Sequence, residues 1–167
     1  MKSAMPSTSY QLDQEISSFL KETQGTYLAQ SPKAAINFQS FLSDKMLIIA
    51  AIRAGIPYSL FHTIQACTPF TETDWANFLD ISTKSLQRYK VASNFSFKPI
   101  HSEKIIEMAE VTQAGLEVFD NLNTLKLWLN TPNFALGSLL PIELLKDSYG
   151  KDLVLAELIR INHGILA

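Results

Sequence analysis

The proline at position 132 sets the tightest single limit on how this chain folds. It stands in Asn130-Thr131-Pro132-Asn133 and disfavours helical geometry in the residue before it, so the helix leading into it must stop. Gly137-Ser138 bends the chain again, and Pro141 suits the first turn of a helix running into Ile142-Glu143-Leu144-Leu145. A last helix follows. Its buried face reads through Leu153, Ala156 and Ile159, or through Leu155, Leu158 and Ile161, both at helical spacing. Asn162-His163-Gly164 is the stop signal, with Gly164 placed for a left-handed cap and a positive φ. Ile165-Leu166-Ala167 then close the sequence on bare hydrophobic residues.

The remainder predicts an all-α chain. Residues 1–9 are small and polar, as frayed ends are. Leu12, Ile16, Phe19 and Leu20 mark one face of a first helix, which Gly25 ends. Ser31-Pro32 reads as a cap and first helical residue before Ile36, Phe38, Phe41 and Leu42. Ser43-Asp44 starts the next helix, whose residues 46–52 are apolar nearly all round, which places it at the centre of the fold. Gly55 closes it and Pro57 opens another through Leu60, Phe61 and Ile64. Further on, Pro99 opens a long helix to about residue 120, and Asn123 caps a short one over residues 124–129.

Residues 71–90 carry the second informative pattern. Thr71 with Asp74 forms a capping-box signature, and Trp75, Phe78 and Leu79 face a core. Asp80-Ile81-Ser82 is a tight turn around an apolar residue, with Ser82 placed to cap the helix after it. Leu86 and Tyr89 turn inward, leaving Thr83, Lys84, Ser85, Gln87, Arg88 and Lys90 outward. Helix, short turn and helix with a polar, basic second face is the helix-turn-helix pattern. Glycine usually occupies such a turn, and none is present here. Residues 82–104 hold five Lys/Arg against one acid, while residues 71–80 hold three acids and no base. That local excess suits a handful of phosphate contacts with salt-dependent affinity. The bland alternative is that Lys84, Arg88 and Lys90 are only a solvated face.

These residues also carry a family resemblance. Trp128-Leu129-Asn130-Thr131-Pro132-Asn133, Ala135-Leu136-Gly137, Pro141, Leu144-Leu145, Gly150 and His163-Gly164 fall in the order of the C-terminal toxin-binding domain of the Xre/MbcA/ParS antitoxins. Ser138-Leu139 departs from that pattern, standing where a second glycine or a polar residue is common. Ile81-Ser82-Thr83-Lys84-Ser85-Leu86-Gln87-Arg88 resembles the Cro/repressor-type helix-turn-helix found upstream of that domain, and Arg53-Ala54-Gly55-Ile56-Pro57 resembles the entry to it. The resemblance spans residues 53–167. Together with the helical pattern ahead of it, it gives an expected order of an N-terminal helical extension over residues 1–42, lying outside the resemblance, a helix-turn-helix DNA-binding domain over 43–98, a connecting helix over 99–122 and a small helical toxin-binding domain over 123–167.

What it implies about function is an antitoxin of a type II toxin–antitoxin pair, without enzymatic activity or cofactor, whose partner is a RES-domain toxin of the NAD-consuming class. The toxin contacts expected are Leu158, Ile159, Ile161, Asn162, His163, Gly164, Ile165, Leu166 and Ala167, docking at the toxin's active site. Apolar groups at a chain end gain by leaving water for a pocket. The DNA contacts expected are Ser82, Thr83, Lys84, Ser85, Gln87, Arg88 and Lys90, on operator DNA and from a homodimer. His163 has two readings, a helix-ending residue that meets the last carbonyls or a direct toxin contact.

Other chemistry is not indicated. His62, His101 and His163 lie far apart, without metal-ligand spacing to a second histidine or cysteine, and no phosphate-binding or nucleophile motif is present. Glu103, Glu107 and Glu110, like Asp147, Asp152 and Glu157, read as solvated helix faces. The single Cys67 reads as a packed thiol in a reducing, cytoplasmic setting. Residues 46–52 are too few to span a bilayer, and residues 1–6 lack a signal-peptide core behind them. Two rival functions fit the same residues. One is a stand-alone transcriptional regulator that uses its C-terminal domain only to dimerise. The other is an adaptor whose helix-turn-helix has lost DNA binding.

Overall fold

The computed structural model describes residues 8–23 and 36–165. Of the fraying expected over residues 1–9, residues 1–7 lie outside the described residues, as do the stop at Gly25, the Ser31-Pro32 cap and the end at Leu166 and Ala167; at Thr8 and Ser9 it is corrected, since both are helical. Among those described, the fold is all-α with no named strand: α1 (Thr8–Thr23), α2 (Phe38–Ser43), α3 (Lys45–Ala54), α4 (Tyr58–Ala66), α5 (Glu72–Phe78), α6 (Thr83–Val91), α7 (Pro99–Val118), α8 (Leu122–Leu129), a 3-10 turn (Phe134–Leu136), α9 (Pro141–Leu144) and α10 (Ser148–Asn162). The chain packs as two compact units. One holds the residues up to Cys67 with Arg88–Ile106; the other holds Thr68–Gln87 with Glu107 onward.

In the first unit α1 lies on α3 and α4 and buries Leu12, Ile16, Phe19 and Leu20, the face its periodicity predicts. Asp13 on the same helix accepts the Phe38 N–H at 2.8 Å and ties in α2. Asp44 caps α3 by accepting from the Met46 and Leu47 N–H groups. The expectation that residues 46–52 form the central helix is corrected. Only Leu47 and Ala51 are buried, while Met46 is 67 % exposed and Ile49 39 %. Being apolar all round leaves a helix without a preferred side, and here one narrow stripe faces the core.

Gly55 ends α3 at φ 84°, with its Cα so near the chain's return that an added Cβ would stand 2.6 Å from the Phe97 carbonyl oxygen. That return is a short backbone pairing: Phe97 N–H donates to Ile56 O at 2.8 Å, and Tyr58 N–H to Phe95 O at 2.9 Å. The buried Ser102 hydroxyl accepts the Ile56 N–H and donates to Phe97 O, so both sides of the pairing are fixed from α7. Phe97 lies within a ring cluster, 5.0 Å from Phe61 and 5.1 Å from Phe95 between centroids. Cys67 closes α4, and burial, aided by the negative charge of Asp13, pushes its thiol up and away from the reactive thiolate.

In the second unit Phe70, Trp75 and Phe78 pack edge to face. Asn121 caps α8 by accepting the Thr124 N–H; this corrects the cap expected at Asn123. The helix begins two residues early because Leu122 and Leu125 both supply its apolar side, and Asn121 is the residue with extended backbone that precedes it. Glu107 also departs from its solvated reading. It is buried, accepts the Ser148 hydroxyl at 3.0 Å and lies 4.0 Å from the Lys151 ammonium.

Candidate functional site

The helix-turn-helix is built by short-range bonds. Thr71 accepts the Asp74 N–H and Asp74 accepts the Thr71 N–H at 2.8 Å, a complete capping box. After α5 the chain reverses at Asp80, which takes φ 51°, the left-handed conformation that glycine usually supplies in such a turn. Ile81 N–H then returns to Ala76 O, and Ser82 accepts the Ser85 N–H at 3.0 Å to open α6. Leu86 is buried. Tyr89, in the first unit, stacks on Phe95 at 3.9 Å between centroids.

Ser82, Thr83, Lys84, Gln87, Arg88 and Lys90 are exposed and Ser85 is half-buried. The Arg88 guanidinium lies 5.7 Å from the Tyr89 ring centre, where a cation is attracted by the ring face. One helix and its cap therefore carry all seven residues expected to meet DNA.

The C-terminal residues are organised from the Pro132 break. Asn130 and Thr131 tie off the end of α8 with their side chains, donating to Lys126 O and Leu127 O. Asn133 starts the 3-10 turn by accepting the Ala135 N–H, and Gly137 closes it at φ 70°. Asp147 caps α10 by accepting the Gly150 N–H at 2.7 Å. Gly150 itself is buried against the Leu144 carbonyl, where a Cβ would collide. The sequence places Gly150 in a family pattern but does not reveal this reason for it.

Along α10 the two readings of the buried face separate. Leu158 is fully buried, Leu155 and Ile161 are half-buried, and Val154 and Gly150 join them. Leu153, Ala156 and Ile159 are instead exposed, Leu153 at 56 % and Ile159 at 55 %. Leu158, one of the residues expected at a partner, is a core residue of this chain. Of the other residues expected at a partner, Ile159, Asn162, His163, Gly164 and Ile165 are exposed and Ile161 is half-buried. Leu166 and Ala167 lie outside the described residues.

The stop at Gly164 has the geometry its sequence predicts. Gly164 stands at φ 70°, with its N–H on Ile161 O and the Ile165 N–H on Arg160 O. Those two bonds are a Schellman motif. His163 is the cap residue, and its backbone N–H makes the last ordinary helical bond, to Ile159 O, before that stop.

Glu157 likewise departs from its solvated reading. It is buried, and the hydrogen bonds of Arg160, with help from the Arg160 charge and the Asn133 side chain, hold its carboxyl below the ordinary glutamate range against the opposing effect of burial. Its signal in the sequence is Arg160 one helical turn on, a spacing at which opposite charges meet. Among the described residues no group of acids, histidines and cysteines is placed to hold a metal ion, and no helix is long and apolar enough to cross a membrane.

Comparisons with known proteins meet these two regions in turn. The antitoxin Xre-like helix-turn-helix domain model matches residues 47–110. The antitoxin Xre/MbcA/ParS C-terminal toxin-binding domain model matches residues 114–164. A chain from the crystal structure of the M. tuberculosis MbcT-MbcA toxin-antitoxin complex has a similar fold, with a TM-score of 0.51 at 24 % identity over 65 % of this chain and 97 % of that one. No curated protein matches the chain. The two domain models together cover most of the sequence, in the order the residues predict, and α1 and α2 lie ahead of both. This chain belongs to the Xre/MbcA/ParS antitoxin family.

Proposed function

We propose that this antitoxin neutralises a RES-domain toxin of the NAD-consuming class with the end of α10 and the segment after it. The observation that carries the reading is the two-sided character of α10. Val154 and Leu158 fill the core, while Leu153, Ala156 and Ile159 present a second apolar side to solvent. Such a side gains free energy when a partner removes it from water. The partner surface proposed is therefore that side together with Asn162, His163, Gly164, Ile165, Leu166 and Ala167, docked over the toxin's substrate cleft. Ile161 contributes at the edge and Leu158 supports from beneath. The antitoxin acts by binding, with no chemistry or cofactor of its own.

The second activity proposed is repression of its own operon. Ser82, Thr83, Lys84, Ser85, Gln87, Arg88 and Lys90 form a polar, basic helix face suited to phosphates and base edges in the major groove. A homodimer would set two such helices on successive half-sites. In domain terms, residues 43–98 serve DNA, residues 123–167 serve the toxin, residues 99–122 connect them, and residues 1–42 extend the first.

Co-expression with the product of the adjacent reading frame tests the toxin reading. The expected result is a stable complex that rescues growth and preserves cellular NAD. Growth arrest or NAD loss unaffected by this protein, with both chains expressed, overturns it.

A further inference from the structure

The end of α10 carries an ion pair with a third bond attached. The Arg160 Nε donates to Glu157 Oε2 at 2.9 Å and Nη2 donates to Oε1 at 2.7 Å, a two-pronged grip on a buried carboxylate. Its remaining nitrogen, Nη1, donates to the Ile165 carbonyl at 2.9 Å. A continuous set of bonds thus joins Glu157, through Arg160, to the backbone beyond Gly164.

The helix stop does not need that last link. Gly164 N–H to Ile161 O and Ile165 N–H to Arg160 O complete the stop with backbone alone. The Arg160–Ile165 bond additionally fixes Ile165 itself, whose side chain is exposed. A segment already aligned loses less conformational freedom when it binds. Only a guanidinium does this, because its planar fork holds two carboxylate oxygens and still has a donor left for the carbonyl.

We propose that Arg160 is a positioning residue for toxin binding: braced by Glu157, it fixes Ile165 just beyond the Gly164 stop, so this exposed residue meets its partner pre-aligned. This rests on the reading of the segment after α10 as a toxin-contacting end.

The test measures affinity for the purified product of the adjacent reading frame with four full-length or near-full-length forms. They are the natural chain, Arg160→Met, a deletion of residues 165–167, and the two combined. Circular dichroism and melting curves are recorded on each. Arg160→Met is expected to weaken binding on the order of tenfold, as removal of a charge-assisted hydrogen bond does. In the deleted background the same substitution is expected to cost nothing further, because there is no segment left to aim. Arg160→Lys keeps the charge and most of the stem and is expected to recover little, and it replaces Arg160→Met should that variant unfold. Equal losses in both backgrounds make Arg160 merely structural and overturn the inference, as does natural affinity in Arg160→Lys. A deletion that leaves affinity unchanged overturns the underlying reading of the segment.

Discussion

The backbone of Gly150 lies against the carbonyl of Leu144 so closely that no side chain fits between them. This packing joins the first turn of α10 to the end of α9, and Asp147 fixes it by accepting the Gly150 N–H at 2.7 Å. Backbone is in the way, so rotamer changes cannot relieve a clash there. Gly150→Ala is expected to destabilise the second unit by roughly 2–4 kcal/mol, at or beyond the upper end of ordinary overpacking. Gly137→Ala makes the control: nothing stands within 4 Å of its Cβ position, and only the φ of 70° is unfavourable. It should cost about 1–2 kcal/mol, the left-handed penalty alone. Urea denaturation of both variants reads the difference, and equal values would show that Gly150 is not packed as described.

How much of this is legible in the sequence follows from the range of each interaction. The Thr71–Asp74 capping box, the Ser82 cap and the Gly164 stop each close within a few residues, and the sequence alone predicts them. Asp80 in the left-handed region escapes that reading, although aspartate is among the residues that can substitute for a turn glycine. Longer-range facts are hidden. Glu107 is buried through Ser148, 41 residues away, and no local pattern distinguishes it from a solvated glutamate. The crowding at Gly150 likewise depends on where Leu144 ends up. Residues 46–52 and α10 show a different difficulty. Both are apolar on more than one side, so periodicity cannot tell which side turns inward.

The recognition-helix assignment makes a charge-specific prediction. Arg88→Ala should weaken operator binding by about 1–3 kcal/mol if the guanidinium reads a guanine. Lys84→Ala should weaken it uniformly across sequences, and the pair together should flatten the salt dependence by about one unit for each phosphate no longer neutralised. Both side chains are exposed, so neither change should move the melting temperature appreciably. Gel shifts on the upstream DNA at several salt concentrations measure this. Unchanged affinity and slope in the Lys84/Arg88 double variant would remove α6 from the DNA interface.

The Glu157 carboxyl gives a pH dependence with a definite sign. Arg160, chiefly by hydrogen bonding, holds its folded-state pKa down. A depressed acid contributes stability above its unfolded pKa and loses that contribution as pH falls through the folded one. Lys151 has the opposite sense. Burial works against its charge, but Asp152, at 3.1 Å, and the charges of Glu107 and Glu110 leave its pKa raised. Its contribution is present below the usual lysine range and is lost as pH rises through and beyond it. Melting temperatures should therefore hold steady through neutral pH and drop only in acid below the ordinary glutamate range, with a second decline in strong alkali. Glu157→Gln should melt lower than the natural chain at neutral pH, with the gap closing in acid. A constant gap from neutral to acid would mean that the ion pair contributes no charge-dependent stability.

The two sides of α10 allow binding to be separated from folding. Leu158 is fully buried, and Leu158→Ala removes packed atoms, at an expected cost of about 2–5 kcal/mol. Leu153 and Ile159 are more than half exposed on the other side of the same helix. Leu153→Ser and Ile159→Ser should change stability by only about 0.5 kcal/mol each, because neither side chain fills the core. If that exposed side meets the toxin, each substitution should weaken the complex by roughly 1–2 kcal/mol, and the pair should abolish rescue of cells expressing the toxin. The double variant should still shift operator DNA, since residues 82–90 are untouched. Helical content by circular dichroism, a gel shift and a growth assay on the same preparations give the answer together. Full rescue by a folded Leu153→Ser/Ile159→Ser protein would move the toxin interface off this side of α10 and onto the residues that cross from Trp128 to Leu145.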